Sequence, residues 1–307
     1  MKSIFVADLH CDKKRKVTYG NPEIWNNKPL DILAGIIKQE KPDRLTLLGD
    51  VFDTANPDSL SYGRFIATII NVPNVWILEG NHDRPKVERE YAFEKLATLP
   101  NVCIVSKNKL AHMFVPDKVA INVYGIGWCD TQELFESILQ DALEQGKEGD
   151  ILCLHCNWAD WGNEMDNAMP AALFNKFEKK GMLILSGHEH TFHDEQGFIH
   201  LGAIMPMTIA ELGKKAYYVI GEGLKDINHG VGTDESTCDV LLLREEPVII
   251  DESKAYYIKT AKEVSIDDIQ MESKDLKIDI LADFTKAAIE AGFSEQMLEG
   301  FINDTQN

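Results

Sequence analysis

Five short apolar runs in this 307-residue chain each end in side chains that can bind a metal ion. Residues 4–7 lead into "DLH", with Asp8 and His10, and residues 45–48 into "GDVFD", with Asp50 and Asp53. Residues 75–78 lead into "EGNHD", with Asn81, His82 and Asp83. Residues 151–154 lead to His155, and residues 182–185 to "SGHEH", with His188 and His190. Carboxylate oxygen, amide oxygen and imidazole nitrogen suit manganese, iron or zinc, and no thiolate is needed. The inventory fits a two-metal centre. Two cations a few ångströms apart repel, so a carboxylate between them is useful, whereas an asparagine binds through its carbonyl and adds no charge. With few carboxylates the site keeps positive charge, which binds a phosphate and lowers the pKa of a bridging water.

Ligands this far apart in sequence meet only if strands deliver them, and in an α/β sheet strand ends converge on a common crevice. The runs are apolar on both faces, as expected of strands covered on both sides by helices or by another sheet. The stretches between them predict helices over residues 30–39, 59–70, 86–98, 132–145 and 171–180, the first with a stripe of Leu30, Leu33, Ile36 and Ile37. Between residues 101 and 128 the runs 102–105 and 119–126 lack long helices and predict sheet. After residue 220, "GEGLKDINHGVGTDES" reads as a loop or boundary. Short strands are expected at 240–243, 248–250 and 255–259. Two helices are expected within 280–302, parted at Gly292 with Ser294 as N-cap. The domain division is therefore 1–220 for the metal-binding unit and 221–307 for an extension that carries the final helix pair.

The formal charge is −19, and the 20 acids and 8 bases after residue 220 account for −12 of it. An acidic surface of this kind excludes a general basic footprint for nucleic acid, though not a local one. One local candidate is the run Lys13, Lys14, Arg15 and Lys16, within reach of the expected site and able to contact phosphate. A solvated basic loop is the plainer alternative. No apolar run reaches the ~20 residues of a membrane helix, so no membrane association and a cytoplasmic location are expected. The six scattered cysteines do not form a disulfide framework, and Cys153 and Cys156 sit in a run that reads as a buried strand.

The order D-x-H, G-D-x-x-D, G-N-H-D, H, G-H-x-H resembles the calcineurin-like metallophosphoesterase superfamily over about residues 2–220. The resemblance implies an α/β fold, a four-layer αββα sandwich, here with a small C-terminal extension. It implies that Asp8, His10 and His190 hold one ion, that Asn81, His155 and His188 hold the other, and that Asp50 bridges them. It implies that His82 is not a ligand but serves the leaving oxygen, with Asp53 spaced to orient it. The cofactor implied is two divalent ions, manganese first, with Fe2+ or Zn2+ as alternatives. "GDVFDTANP" and "GNHDR" depart from the G-D-x-x-D-R-G and G-N-H-E of protein phosphatases. "GDVFDTANPDSLSYGRF", "YGIGWCD" and "HLGAIMPM" look like SbcD-type DNA repair nuclease subunits, and the shorter chain is similar to phage-encoded members of that branch. This implies a DNA substrate and a long SMC-like ATPase partner of the SbcC type, with the terminal helix pair as a docking region. A homodimer is compatible with this reading.

Several residues carry two readings at this level. Trp158 and Trp161 form either a loop packed by its own aromatics or a wall against which a base stacks. His112 is expected on a half-buried strand, and His193 and His200 are expected to be exposed or packing residues. A small-molecule phosphoesterase acting on nucleotides is the second functional reading. A non-catalytic scaffold is the third, and the complete ligand set speaks against it.

Overall fold

A computed structural model of the chain describes residues 2–14, 19–20, 22–85, 90–114, 121–158, 167–195, 197–205, 207, 215–221, 224–229, 240–243 and 255–258. The first half runs β1 (Ser3–Val6), β2 (Tyr19–Gly20), α1 (Pro22–Glu40), β3 (Arg44–Leu47), α2 (Ser59–Ile69), β4 (Asn74–Leu78), α3 (Ala92–Leu96), β5 (Val102–Val105) and β6 (Leu110–Phe114). It continues with β7 (Asn122–Ile126), α4 (Gln132–Gln145), β8 (Ile151–His155), β9 (Asn157–Trp158), β10 (Ala168–Met169), α5 (Ala171–Lys180) and β11 (Leu183–Gly187). Beyond these lie β12 (His193–Glu195), β13 (Phe198–His200), β14 (Ala216–Gly221), β15 (Leu224–His229), β16 (Val240–Leu243) and β17 (Ala255–Ile258).

Two six-stranded sheets result, in the orders β15-β14-β1-β3-β4-β5 and β12-β13-β11-β8-β7-β6. In the first, β1, β3, β4 and β5 are parallel and β14 joins β1 antiparallel. In the second, β7, β8, β11 and β13 are parallel. Period-two alternation explains why the runs are apolar throughout. Ile4 and Val6 of β1 enter a core shared with α1, α2 and α3, while Phe5 and Ala7 enter a second core that also holds residues of the other sheet. In β8, Leu152 and Leu154 pack with α4 and α5, and Ile151 and Cys153 face the first sheet. The layers are therefore helix, sheet, sheet, helix: the αββα sandwich expected.

Local chemistry sets the helix ends. Asp58 caps α2 by accepting the Ser61 N–H at 2.9 Å, and Thr131 caps α4 by accepting that of Leu134 at 3.2 Å. Gly181 closes α5 in the left-handed conformation, φ 72°. Helix α1 starts well before the expected residue 30. Its buried stripe of Trp25, Pro29, Leu33 and Ile36 runs through an internal proline, so tertiary burial overrides a local breaker. Helix α3 is shorter than the expected 86–98, of which residues 86–89 lie outside the described set.

The segment expected as a loop after residue 220 contains β15, which pairs antiparallel with β14 and extends the first sheet to His229. The expected strands at 240–243 and 255–259 form as β16 and β17, and β17 pairs antiparallel with β2. The strand expected at 248–250 and the helix pair expected within 280–302 lie outside the described residues. Cys153 and Cys156 are both free and buried, one facing the inter-sheet core and the other the helix side. They share neither a disulfide nor a metal group.

Phe5 is 1% exposed, between the sheets and edge-on to Tyr218 at 6.2 Å between ring centroids. Phe5→Ala should cost about 3–5 kcal/mol, read as a lower urea midpoint at unchanged m-value.

Candidate metal centre

Every ligand candidate sits at the end of a parallel strand, as His155 does, or just beyond one, at one end of the two sheets. The loops after β1 and β3 run side by side, joined by His10 N–H to Asp50 O at 3.0 Å and Cys11 N–H to Val51 O at 2.9 Å. Asp83 ties in the loop after β4, accepting the N–H groups of Gly80 (3.0 Å), Phe52 (3.0 Å) and Val51 (3.3 Å). Asp83 therefore fastens loops together and does not join the ligand cluster.

The backbone is strained where the ligands are. Asp8, His10, Asp50 and His188 all have positive φ, at 50°, 43°, 48° and 81°. Such conformations cost on the order of 1 kcal/mol or more each for a residue with a Cβ. Two glycines are dictated by close approach: a Cβ on Gly80 would stand 2.1 Å from Asp50 Oδ1, and one on Gly49 2.2 Å from His155 Nδ1.

Two trios of donors face each other across Asp50. Asp8, His10 and His190 offer atoms within 4.8 Å of one another, with the His10 and His190 rings 5.1 Å apart. On the other side, Asn81 Oδ1 lies 3.0 Å from His155 Nε2 and 3.1 Å from His188 Nδ1, and the two ring nitrogens are 3.3 Å apart. Asp50 spans the gap, Oδ2 3.6 Å from His10 Nε2 and Oδ1 3.4 Å from His155 Nε2.

The donor set fits divalent ions. His155 Nδ1 donates to the Leu48 carbonyl at 2.7 Å, so in the neutral ring Nε2 presents a lone pair. That lone pair faces the acceptor oxygen of Asn81, an arrangement that either a metal ion or a proton on Nε2 relieves. Among the described residues neither ring nitrogen of the fully buried His10 meets a partner in good hydrogen-bond geometry, the nearest being the Asp53 and Asp50 carboxylates at 3.4 and 3.6 Å, which is costly unless a metal takes one nitrogen.

Electrostatics reflects the same crowding. Burial alone would lower His155, but the Asp50 carboxylate beside it, then Asp8, push its pKa up to about 9. Burial, then the charge on His155, pull His188 down to about 3. Burial would raise Asp50, yet the His155, His10 and His82 imidazoles hold it well below the usual carboxylate range. Asp8 is raised by its burial.

His82 stands outside both trios. Its side chain is 42% exposed, its N–H donates to Asp50 Oδ1 at 3.0 Å, and its Nδ1 donates to the Asp53 carbonyl at 3.0 Å. That bond fixes the tautomer and leaves Nε2 to exchange a proton. The Asp53 carboxylate is nearer to Lys13 and His10 than to His82.

Of the remaining candidates, Lys14 is exposed, and Arg15, Lys16 and Trp161 lie outside the described residues. Trp158 packs edge-on to Phe174 of α5 (4.9 Å) and Phe198 of β13 (5.2 Å) beside the α4–α5 core. His112 stacks on Tyr124 on the strand expected for it, and His200 is buried opposite His193 on the neighbouring strand. Sequence reasoning missed Trp128, whose ring centroid lies 5.2 Å from His188 and 6.0 Å from His155. It follows β7 just as the ligands follow their strands, and that position was the available signal.

The model of the calcineurin-like phosphoesterase family matches residues 1–192. No curated protein matches the chain. Similar solved structures include a protein of Thermus thermophilus, 13% identical at TM-score 0.46, covering 75% of this chain and 97% of that one. A dimetal phosphatase from Danio rerio is 13% identical at TM-score 0.47, covering 71% and 91%. GAP50, the anchor in the inner membrane complex of Plasmodium, is 13% identical at TM-score 0.45, covering 75% and 84%.

A proton on His155 competes with a metal ion for Nε2. Since the pKa of His155 in the metal-free protein is about 9, Mn2+ binding at pH 7.5 should release about one proton from it. Affinity should then rise with pH and level off above pH 9. Calorimetry in buffers of different ionisation enthalpy reads the release directly. Gly80→Ala should weaken Mn2+ binding by displacing Asp50, with the fold retained by circular dichroism.

Proposed function

The chain belongs to the calcineurin-like phosphoesterase family, and from that premise we propose that it is a two-metal phosphodiesterase acting on DNA ends, the nuclease subunit of an ATPase-driven repair or recombination complex. The observation that carries the phosphodiesterase reading is the pair of donor trios about Asp50, with His82 exposed beside them. Asp8, His10 and His190 would hold one ion, Asn81, His155 and His188 the other, and Asp50 both. Two divalent ions, manganese first, would supply a nucleophilic water at neutral pH and stabilise charge on the phosphoryl oxygens. The protein's own residues do the rest. Asp50 and Asp8 limit the positive charge, the buried imidazoles exclude water, and His82 delivers a proton from Nε2 to the departing sugar oxygen.

The DNA assignment is supported by the likeness of "GDVFDTANPDSLSYGRF", "YGIGWCD" and "HLGAIMPM" to SbcD-type subunits and by the exposed Lys14 near the site. A long SMC-like ATPase is the partner this likeness suggests, with residues 280–307 as its docking segment. The net charge of −19 favours a second reading, a phosphoesterase for small nucleotides. Among the described residues no helix is long and apolar enough to cross a membrane.

His82→Ala should keep Mn2+ bound while lowering turnover by about 10²–10⁴-fold; normal turnover would remove His82 from its role. Manganese-dependent hydrolysis of duplex DNA should exceed that of cyclic dinucleotides and mononucleotides, and the reverse preference would replace the nuclease reading by the second one. Copurification with a coiled-coil ATPase should be lost on deleting residues 280–307.

A further inference from the structure

We propose that Lys13 is a positioning residue of the metal centre, acting through Asp53 on His10 and His82, and not a phosphate contact. The inference rests on the two-metal reading of the site but not on the identity of its substrate. Lys13 Nζ reaches both oxygens of Asp53, at 2.9 and 3.1 Å. Asp12 grips the same loop, its Oδ1 accepting the Asp53 N–H at 2.5 Å and its Oδ2 the Thr54 hydroxyl at 2.8 Å. Asp53 Oδ1 then stands 3.4 Å from His10 Nδ1 and 3.7 Å from His82 Nδ1, and the Asp53 carbonyl accepts His82 Nδ1 at 3.0 Å.

The consequence for His10 follows from which nitrogen faces what. Nδ1 faces Asp53 and Nε2 faces Asp50. A carboxylate on the far nitrogen of a ligand imidazole places the proton there and frees the near nitrogen for the metal. Asp53 is also a hazard. With His10 and His82 it forms a third group of donor atoms within 4.8 Å, which could itself capture an ion. By engaging both carboxylate oxygens, Lys13 keeps Asp53 a hydrogen-bond acceptor and out of the ligand set. Lys13 is 37% exposed on its side chain and Asp53 19%, so geometry rather than Coulomb energy is the substance of the pairing. The basic run therefore divides: Lys13 belongs to the centre, and a phosphate-contact role remains only for the residues after it.

The test uses the full-length protein with Lys13→Met, which keeps the aliphatic stem, and Lys13→Arg, which keeps the charge. Turnover of bis(p-nitrophenyl) phosphate, calorimetric Mn2+ affinity of the metal-free protein and melting temperature are measured. Lys13→Met should lower kcat by about tenfold or more, leave KM within about twofold and weaken Mn2+ binding, and Lys13→Arg should recover most of each. Unchanged kcat and Mn2+ affinity in Lys13→Met would overturn the proposal, even if duplex DNA binding weakened. So would a loss that tracks a lowered melting temperature and is not rescued by arginine. If the diester results hold while duplex DNA is not cleaved, the nuclease reading fails and the role of Lys13 stands.

Discussion

The centre rests on an electrostatic constraint: imidazole nitrogens, an amide oxygen and carboxylates are crowded within a few ångströms of one another and largely out of water. Asn81 Oδ1, His155 Nε2 and His188 Nδ1 lie within 3.3 Å of one another, and the nearby Asp50 carboxylate is the main reason His155 retains a proton to about pH 9. Such an arrangement is unfavourable in isolation and favourable around a cation. The fold sustains it through backbone geometry. Four ligand residues sit at positive φ, and parallel β-ladders plus the three N–H groups donated to Asp83 hold their loops in place.

Much of this was legible in the sequence, for a physical reason. A strand buried on both faces has a distinctive apolar signature, and polar residues immediately after it stand out. The strands that bear Asp8, Asp50, Asn81 and His155 could therefore be placed to within a residue or so, and the helices over 132–145 and 171–180 likewise. What escaped was decided by contacts distant in sequence. Residues 224–229 look like a polar loop because an edge strand pairs on one side only and needs no continuous apolar run. Helix α1 extends through Pro29 because its burial against the first sheet outweighs the local cost.

The side chains around the centre show the same limit. Trp128 and Trp158 are equally aromatic and equally close to strand ends, but only the partner ring tells them apart: a ligand histidine for one, Phe174 and Phe198 for the other. Lys13 looked like one of four interchangeable bases. Its distinction is an ion pair with a residue 40 positions away.

Each donor trio mixes the two sheets. Asp8 and His10 follow β1 and Asn81 follows β4, whereas His155, His188 and His190 come from β8 and β11. A pair of bound ions would thus act as rivets through two plates whose alignment is otherwise set by the apolar side chains between them. Sliding one sheet over the other by an ångström would split both trios at once, and a misplacement of that size costs about 10²-fold in rate. The inter-sheet core, far from any substrate, is in this sense a calibration layer: its packing fixes how far apart the ions can sit.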